Sequence, residues 1–194
     1  MVVVNGWCFN MTYKDEIIKA MKFLAKDERV IFLGQNILYS GSFMSSSFKR
    51  VPDSKKIELP LIEDMQMGMS IGLSLEGFIP VSVYPRMDFL ILAMNQLVNH
   101  LDKIEEMSMG EFKPMVIIRT AVGATKPLYP GLQHCSDYSE GMKYMLKNVN
   151  IVELLHAEEI LPSYRCALER NDGISTLIIE KADLYFTGGG EKYD

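Results

Sequence analysis

The chain lacks paired cysteines, any run of lysines and arginines, a long apolar stretch and a glycine-rich phosphate loop. Each absence removes a class of protein. The three cysteines, Cys8, Cys135 and Cys166, form no Cys-x-x-Cys pair and no zinc spacing. A scattered, odd set of thiols fits a reducing compartment, so a cytoplasmic protein is expected. A net charge of -5 gives no electrostatic reason to expect nucleic acid or an anionic membrane as partner. The apolar opening Met1-Val2-Val3-Val4 meets Asn5-Gly6 too early for a signal peptide or a membrane span. The hydrophobic stretch 89–97 is interrupted by Asn95-Gln96 and followed by charge. There is no Walker-type loop, no Gly-x-Gly-x-x-Gly opening a helix, and no internal repeat.

What is there suits a compact α/β domain. The chain has 194 residues, 48% of them hydrophobic, enough for one well-filled core and cramped for two domains. Charged residues, at 23%, give no sign of disorder. Residues 1–10 read as an amino-terminal extension of unclear role, with Met11 as a possible true start, and 11–186 as the folded domain. The glycine-rich stretch 187–194 reads as a flexible tail.

Thr12 and Asp15 mark a helix start, followed by apolar positions Ile17, Ile18, Met21 and Leu24 at helical spacing. Arg29-Val30-Ile31-Phe32-Leu33-Gly34 is a buried strand, and the serine-rich stretch 40–47 a mobile loop. Residues 56–59 form a short strand stopped by Pro60. The segment 63–75 is a helix carrying Gly68, Ser70, Gly72 and Ser74, which permit close packing; each glycine costs roughly 1 kcal/mol against alanine. A strand at 79–84 precedes a long helix over 88–107, capped by Asp88. A strand at 114–119 and a long irregular loop over 120–135 follow. Helix, strand, helix and strand are then expected at 138–146, 150–154, 157–170 and 175–180. Pro162 marks the first turn of the second of these helices or a break within it. Short strands alternating with helices predict three layers: a mainly parallel sheet flanked by helices on both faces.

The run Glu58-Leu59-Pro60-Leu61-Ile62-Glu63-Asp64-Met65-Gln66-Met67-Gly68 resembles the pyrimidine-binding domain of thiamine-diphosphate enzymes, above all the β subunits of 2-oxo acid dehydrogenases and the middle domain of transketolases. In those proteins a short strand passes through a proline into a glutamate that opens a small-residue helix, then Gly-x-x-Pro and a strand. Here the series is Glu63, the small-residue helix, Gly77-Phe78-Ile79-Pro80, then 81–84. Asn95-Gln96 and Leu132-Gln133-His134-Cys135-Ser136 add to the likeness, which runs over 11–185. The order and spacing of these motifs are more specific than any one of them.

The resemblance implies roles. Glu63 would hydrogen-bond a ring nitrogen of the cofactor's aminopyrimidine and favour the tautomer that deprotonates the thiazolium carbon. A helix-dipole role alone would also justify an acid there, and the flanking pattern favours catalysis. Phe89 would stack on the pyrimidine, with Tyr84 and Met87 beside it, though an ordinary core position serves Phe89 equally well. His134 would assist proton transfer or hold substrate, a task that suits histidine near neutral pH. Pro85-Arg86 departs from the family pattern; Arg86 faces either an anionic substrate group or solvent. The role of Cys135 stays open.

The family holds its diphosphate through Mg²⁺ on a Gly-Asp-Gly and a later Asn. No Gly-Asp-Gly occurs here, and Asn171-Asp172-Gly173 lacks the leading glycine. The implied metal site within this chain is therefore none. A separate diphosphate-domain subunit would supply it, and two copies of each chain would form a heterotetramer. The helix after Glu63 and the one from Asp88 onward are the expected interface elements. The expected activity is transketolase-like transfer or 2-oxo acid decarboxylation. The alternatives are a non-catalytic assembly or regulatory relative, and an unrelated α/β domain that binds a small ligand.

Overall fold

Apolar residues alternate to both sides of the strands, so the sheet at the centre of this protein must be covered twice. The computed structural model describes residues 3–4, 7–8, 12–39, 42–123 and 129–186. The expected tail, most of the expected amino-terminal extension, and Ser40-Gly41 of the serine-rich loop lie outside the described residues. A two-residue ladder joins β1 (Val3–Val4) to β2 (Trp7–Cys8). The remaining strands are β3 (Val30–Gly34), β4 (Lys56–Glu58), β5 (Ile79–Tyr84), β6 (Ile117–Val122), β7 (Asn150–Leu154) and β8 (Thr176–Lys181). They form one six-stranded sheet in the order β4-β3-β5-β6-β8-β7, with every pairing parallel.

Helices α1 (Tyr13–Leu24) and α6 (Ala157–Glu169) cover one face. Their Ile17, Met21, Leu24, Ile160 and Tyr164 meet Phe32, Val81, Val83, Ile117 and Ile178 of the sheet. The other face carries α2 (Glu63–Leu75), α3 (Met87–Leu90) and α5 (Ser139–Met145), which bring Met67, Ile71, Leu90 and Met142 against Tyr84, Ile118, Leu177 and Ile179. Each fully buried side chain of this size stabilises the fold by about 1.5–3 kcal/mol relative to exposure. The expected three-layer α/β architecture is the one observed.

Thr12 caps α1 as its sequence suggests: its Oγ1 accepts from the Asp15 N–H at 3.1 Å and donates to the Asp15 carboxylate at 2.7 Å. Pro162 sits inside α6 without ending it. Four expectations need correction. The helix over 88–107 is not continuous. After α3 it tightens into a 3₁₀ turn at Ile91–Ala93 and widens into a π-helix at Asn95–Leu101, and α4 (Ile104–Met107) restarts separately. The break falls at Asp102, whose buried carboxylate accepts from the N–H groups of Lys147 (2.8 Å) and Asn148 (2.7 Å), tying the chain to the α5–β7 connection. Asp88 does not cap α3, since the residue preceding that helix is Arg86. The strand expected at 114–119 begins at Ile117 and continues to Val122, into what reads as loop, because Thr120, Ala121 and Val122 pair with β8. The serine-rich stretch, so far as it is described, ends in an ordered 3₁₀ turn, Ser45–Phe48. There the hydroxyls of Ser46 and Ser47 bond carbonyls three residues back, and Phe48 is fully buried.

Candidate active site

The carboxyl ends of β3, β5 and β6, together with the loop leaving β4, gather the residues singled out in the sequence. In open parallel sheets this edge is where ligands bind. Glu63 is the first residue of α2, its position set by Leu59-Pro60-Leu61-Ile62, which leads straight out of β4. Its side chain is almost buried, at 8% exposure. Oε1 accepts a hydrogen bond of 3.1 Å from the Gln35 amide, and no hydrogen bond joins Oε2 to another described residue.

Gln35 was not foreseen as a site residue. It follows Gly34 directly at the end of β3 and is buried. The turn that carries it is fixed by Glu58, whose carboxylate accepts from the N–H groups of Asn36 (2.6 Å), Ile37 (2.9 Å) and Leu38 (3.0 Å). Asn36 adopts φ 54, a left-handed conformation that asparagine tolerates better than most residues. The signal for Gln35 was its place: a polar residue immediately beyond a buried strand's carboxyl end.

Beneath Glu63 runs a buried polar column. Gln66 Nε2 donates to Ser82 Oγ (3.1 Å) and to the Val83 carbonyl (3.0 Å). Ser82 Oγ donates to the Tyr84 hydroxyl at 3.3 Å, which donates to the Glu63 carbonyl at 3.4 Å. Burial, above all, pushes the Tyr84 phenol well above the ordinary tyrosine range, so this hydroxyl stays a donor. Asp64, the neighbouring acid, accepts from Gln96 at 3.4 Å.

The structure sorts the expected site residues into two groups. Glu63 and Tyr84 are joined, but Tyr84 is 1% exposed and supports Glu63 from within the core. Phe89 and His134 form the second group, their rings 5.6 Å apart and at 88° to one another. Both are partly exposed. Met87 is fully buried, and its Sδ accepts from the Tyr138 N–H at 3.1 Å. Arg86 is half-buried, and its Nη1 donates to the carbonyls of His134 (2.5 Å) and Gly123 (3.3 Å). Cys135 is partly buried and free. Among the described residues no group of three His, Cys, Asp or Glu side chains could hold a metal ion, and no helix is long and apolar enough to cross a membrane.

No family model matches the chain. The pyruvate dehydrogenase E1 component subunit β of Ascaris suum is 26% identical over 134 residues, 67% of this chain and 37% of that protein. The corresponding subunit of Cyanidium caldarium is 32% identical over 108 residues, 54% of this chain and 33% of that protein. The matched region thus spans about a third of the length of these relatives. Among solved structures, a split-gene transketolase described as an inactive β4 tetramer superposes over 95% of this chain and 54% of its own, with a TM-score of 0.67 at 16% identity. A thiamine diphosphate-dependent 4-hydroxybenzoylformate decarboxylase of Rhodococcus jostii superposes over 87% of this chain and 30% of its own, with a TM-score of 0.63 at 14% identity. The chain is thus similar over part of its length to pyruvate dehydrogenase E1 β subunits, and its fold is the one seen in part of a split-gene transketolase and of a thiamine diphosphate-dependent decarboxylase.

Proposed function

We propose that this chain is the pyrimidine-binding subunit of a split thiamine-diphosphate enzyme, with Glu63 as the group that engages the aminopyrimidine. The observation that carries this reading is the Glu63 carboxyl itself. It is nearly buried at the head of α2, with one oxygen held by Gln35 and the other bonded to no other described residue. A carboxylate so placed suits the aminopyrimidine end of the cofactor, because its second oxygen can share a proton with a ring nitrogen. When bound, thiamine diphosphate supplies a carbon nucleophile and an electron sink beside a substrate carbonyl.

The chain's own residues divide the remaining work. Gln35 keeps the carboxyl from turning, and Tyr84 fixes the backbone of Glu63. Phe89 offers an aromatic surface for the pyrimidine, and Met87, two residues earlier, is buried. His134 stands beside Phe89, where it serves the substrate by proton transfer or by holding a polar group. The diphosphate and its Mg²⁺ fall to a partner chain. Contacts between copies fall on α2 and the helical run after α3, which expose Met65, Ile91 and Leu92. The reaction is transketolase-like transfer or 2-oxo acid decarboxylation. The free thiols of Cys135 and Cys166 suit a reducing compartment such as the cytoplasm.

The test is co-purification with a diphosphate-domain chain, followed by calorimetric titration with thiamine diphosphate and Mg²⁺. The pair is expected to bind and this chain alone is not. Exchange of the thiazolium proton in the bound cofactor is expected to slow in Glu63→Gln by a factor on the order of 10²–10⁴, the usual worth of general acid–base assistance. Unchanged exchange removes Glu63 from the reaction, and absence of binding with any such partner overturns the cofactor assignment.

A further inference from the structure

Consecutive residues at the β5–α3 corner all grip the loop that carries His134. Arg86 Nη1 reaches the Gly123 carbonyl at 3.3 Å and the His134 carbonyl at 2.5 Å. Met87 Sδ accepts from the Tyr138 N–H at 3.1 Å, and Asp88 Oδ2 accepts from the Ser136 N–H at 3.3 Å. Phe89 then meets the imidazole of His134 itself. The loop leaves the sheet after β6, and Gly123, with φ 85, sits where it turns away. A single guanidinium nitrogen therefore binds both the departure point of the excursion and the residue at its functional end. The guanidinium carbon lies 6.0 Å from the centre of the Phe43 ring, so the group is bounded on a second side.

We propose that Arg86 is the positioning residue for His134: by bridging Gly123 and His134 it closes the neck of the loop and holds the imidazole against Phe89. A long loop would otherwise sample many backbone states, and ordering it needs contacts strong enough to offset that entropy. A charged donor to backbone carbonyls is among the stronger ones available. The planar guanidinium has a fixed geometry, and the single mobile ammonium of a lysine cannot reproduce it. The assignment rests on the reading of His134 as a residue that serves the substrate.

The experiment compares wild type, Arg86→Met and Arg86→Lys as full-length chains by NMR. The chain holds three histidines, His100, His134 and His156, so the imidazole signals can be assigned. In Arg86→Met the His134 ring signals are expected to lose the ring-current displacement caused by Phe89, while those of His100 and His156 stay in place. Amide hydrogens of 131–138 are expected to exchange roughly tenfold faster or more, with β5 and β6 unaffected, as for local opening of one segment. Arg86→Lys is expected to restore the His134 signal in part. A folded Arg86→Met chain with an unmoved His134 signal overturns the proposal, as does an equal disturbance of all three histidines. Neither readout needs cofactor or partner, so failure of cofactor binding would count against Glu63 and leave this result standing by itself.

Discussion

Arg119 and Glu180 stand on neighbouring strands, β6 and β8, and neither reaches solvent. The pair is bidentate, with Nε–Oε1 at 2.7 Å and Nη2–Oε2 at 3.1 Å. Ser47 and the hydroxyls of Tyr164 and Tyr185 complete its hydrogen bonds. A charge left alone in such a place has no compensation, which makes a single deletion far worse than a double one. Arg119→Met is expected to lower the free energy of unfolding by about 3–5 kcal/mol. Arg119→Met combined with Glu180→Leu should recover a large part of that loss. Urea denaturation of the single and double variants checks both, and a single variant that costs under about 1 kcal/mol would contradict the account. This network was not legible in the sequence, because its members lie far apart along the chain and meet only through the strand order. The place of Glu63 at the head of α2 was legible because its signal is local: strand, proline, glutamate and small-residue helix follow one another without a gap. Gln35 lacked any such local pattern, since what makes it a candidate is the spatial neighbour, Glu63, that it acquires when β3 is laid between β4 and β5.

At the scale of elements, strands and helices were readable where one period dominates. α2 and β5 both span the expected residues. The helix after Asp88 misled because its apolar positions, Leu90, Ala93, Leu97 and Leu101, do face the core at near-helical spacing. Periodicity reports a face but not a hydrogen-bond register, and the register slips to the wider π pattern over Asn95–Leu101. Orientation at strand ends was equally hidden. Tyr84 was expected near the ligand, and the period of two turns it inward beneath Glu63 instead. The close approach of β3 to β5 has its own consequence at Gly34. A Cβ added there would lie 2.6 Å from the Val83 carbonyl oxygen, a backbone atom that cannot swing aside. Gly34→Ala is therefore expected to spread the two strands and cost about 1–3 kcal/mol of stability, the usual range for overpacking. Because Gln35 follows directly, the variant should also weaken cofactor binding by the assembled pair. Thermal unfolding together with the same calorimetric titration separates the two effects, and an unaltered melting temperature would show that the strands have room.

For the whole molecule the sheet has no wet face over most of its strands, and its polar groups are sealed in with the apolar ones. Tyr13, Tyr164 and Tyr185 lie on the α1–α6 side and Tyr84 on the α2 side. All four phenols are pushed well above their ordinary range, first by burial and, for the three on the α1–α6 side, also by the negative charge of Glu180. In the unfolded chain a tyrosine ionises near pH 10. Above that pH the unfolded state sheds protons that the folded state retains, so the unfolded state binds fewer protons and stability falls as pH rises. The contribution of these hydroxyls is fully present below about pH 10 and is lost progressively above it. The folded protein is thus expected to hold the four phenols protonated until it unfolds. In an alkaline titration, the part of the tyrosinate absorbance that belongs to Tyr13, Tyr84, Tyr164 and Tyr185 should appear only together with the loss of far-ultraviolet circular dichroism. If all the tyrosinate signal appears while the circular dichroism is intact, the core is open enough to charge these groups in place, and the sealed two-sided packing described for the sheet is wrong.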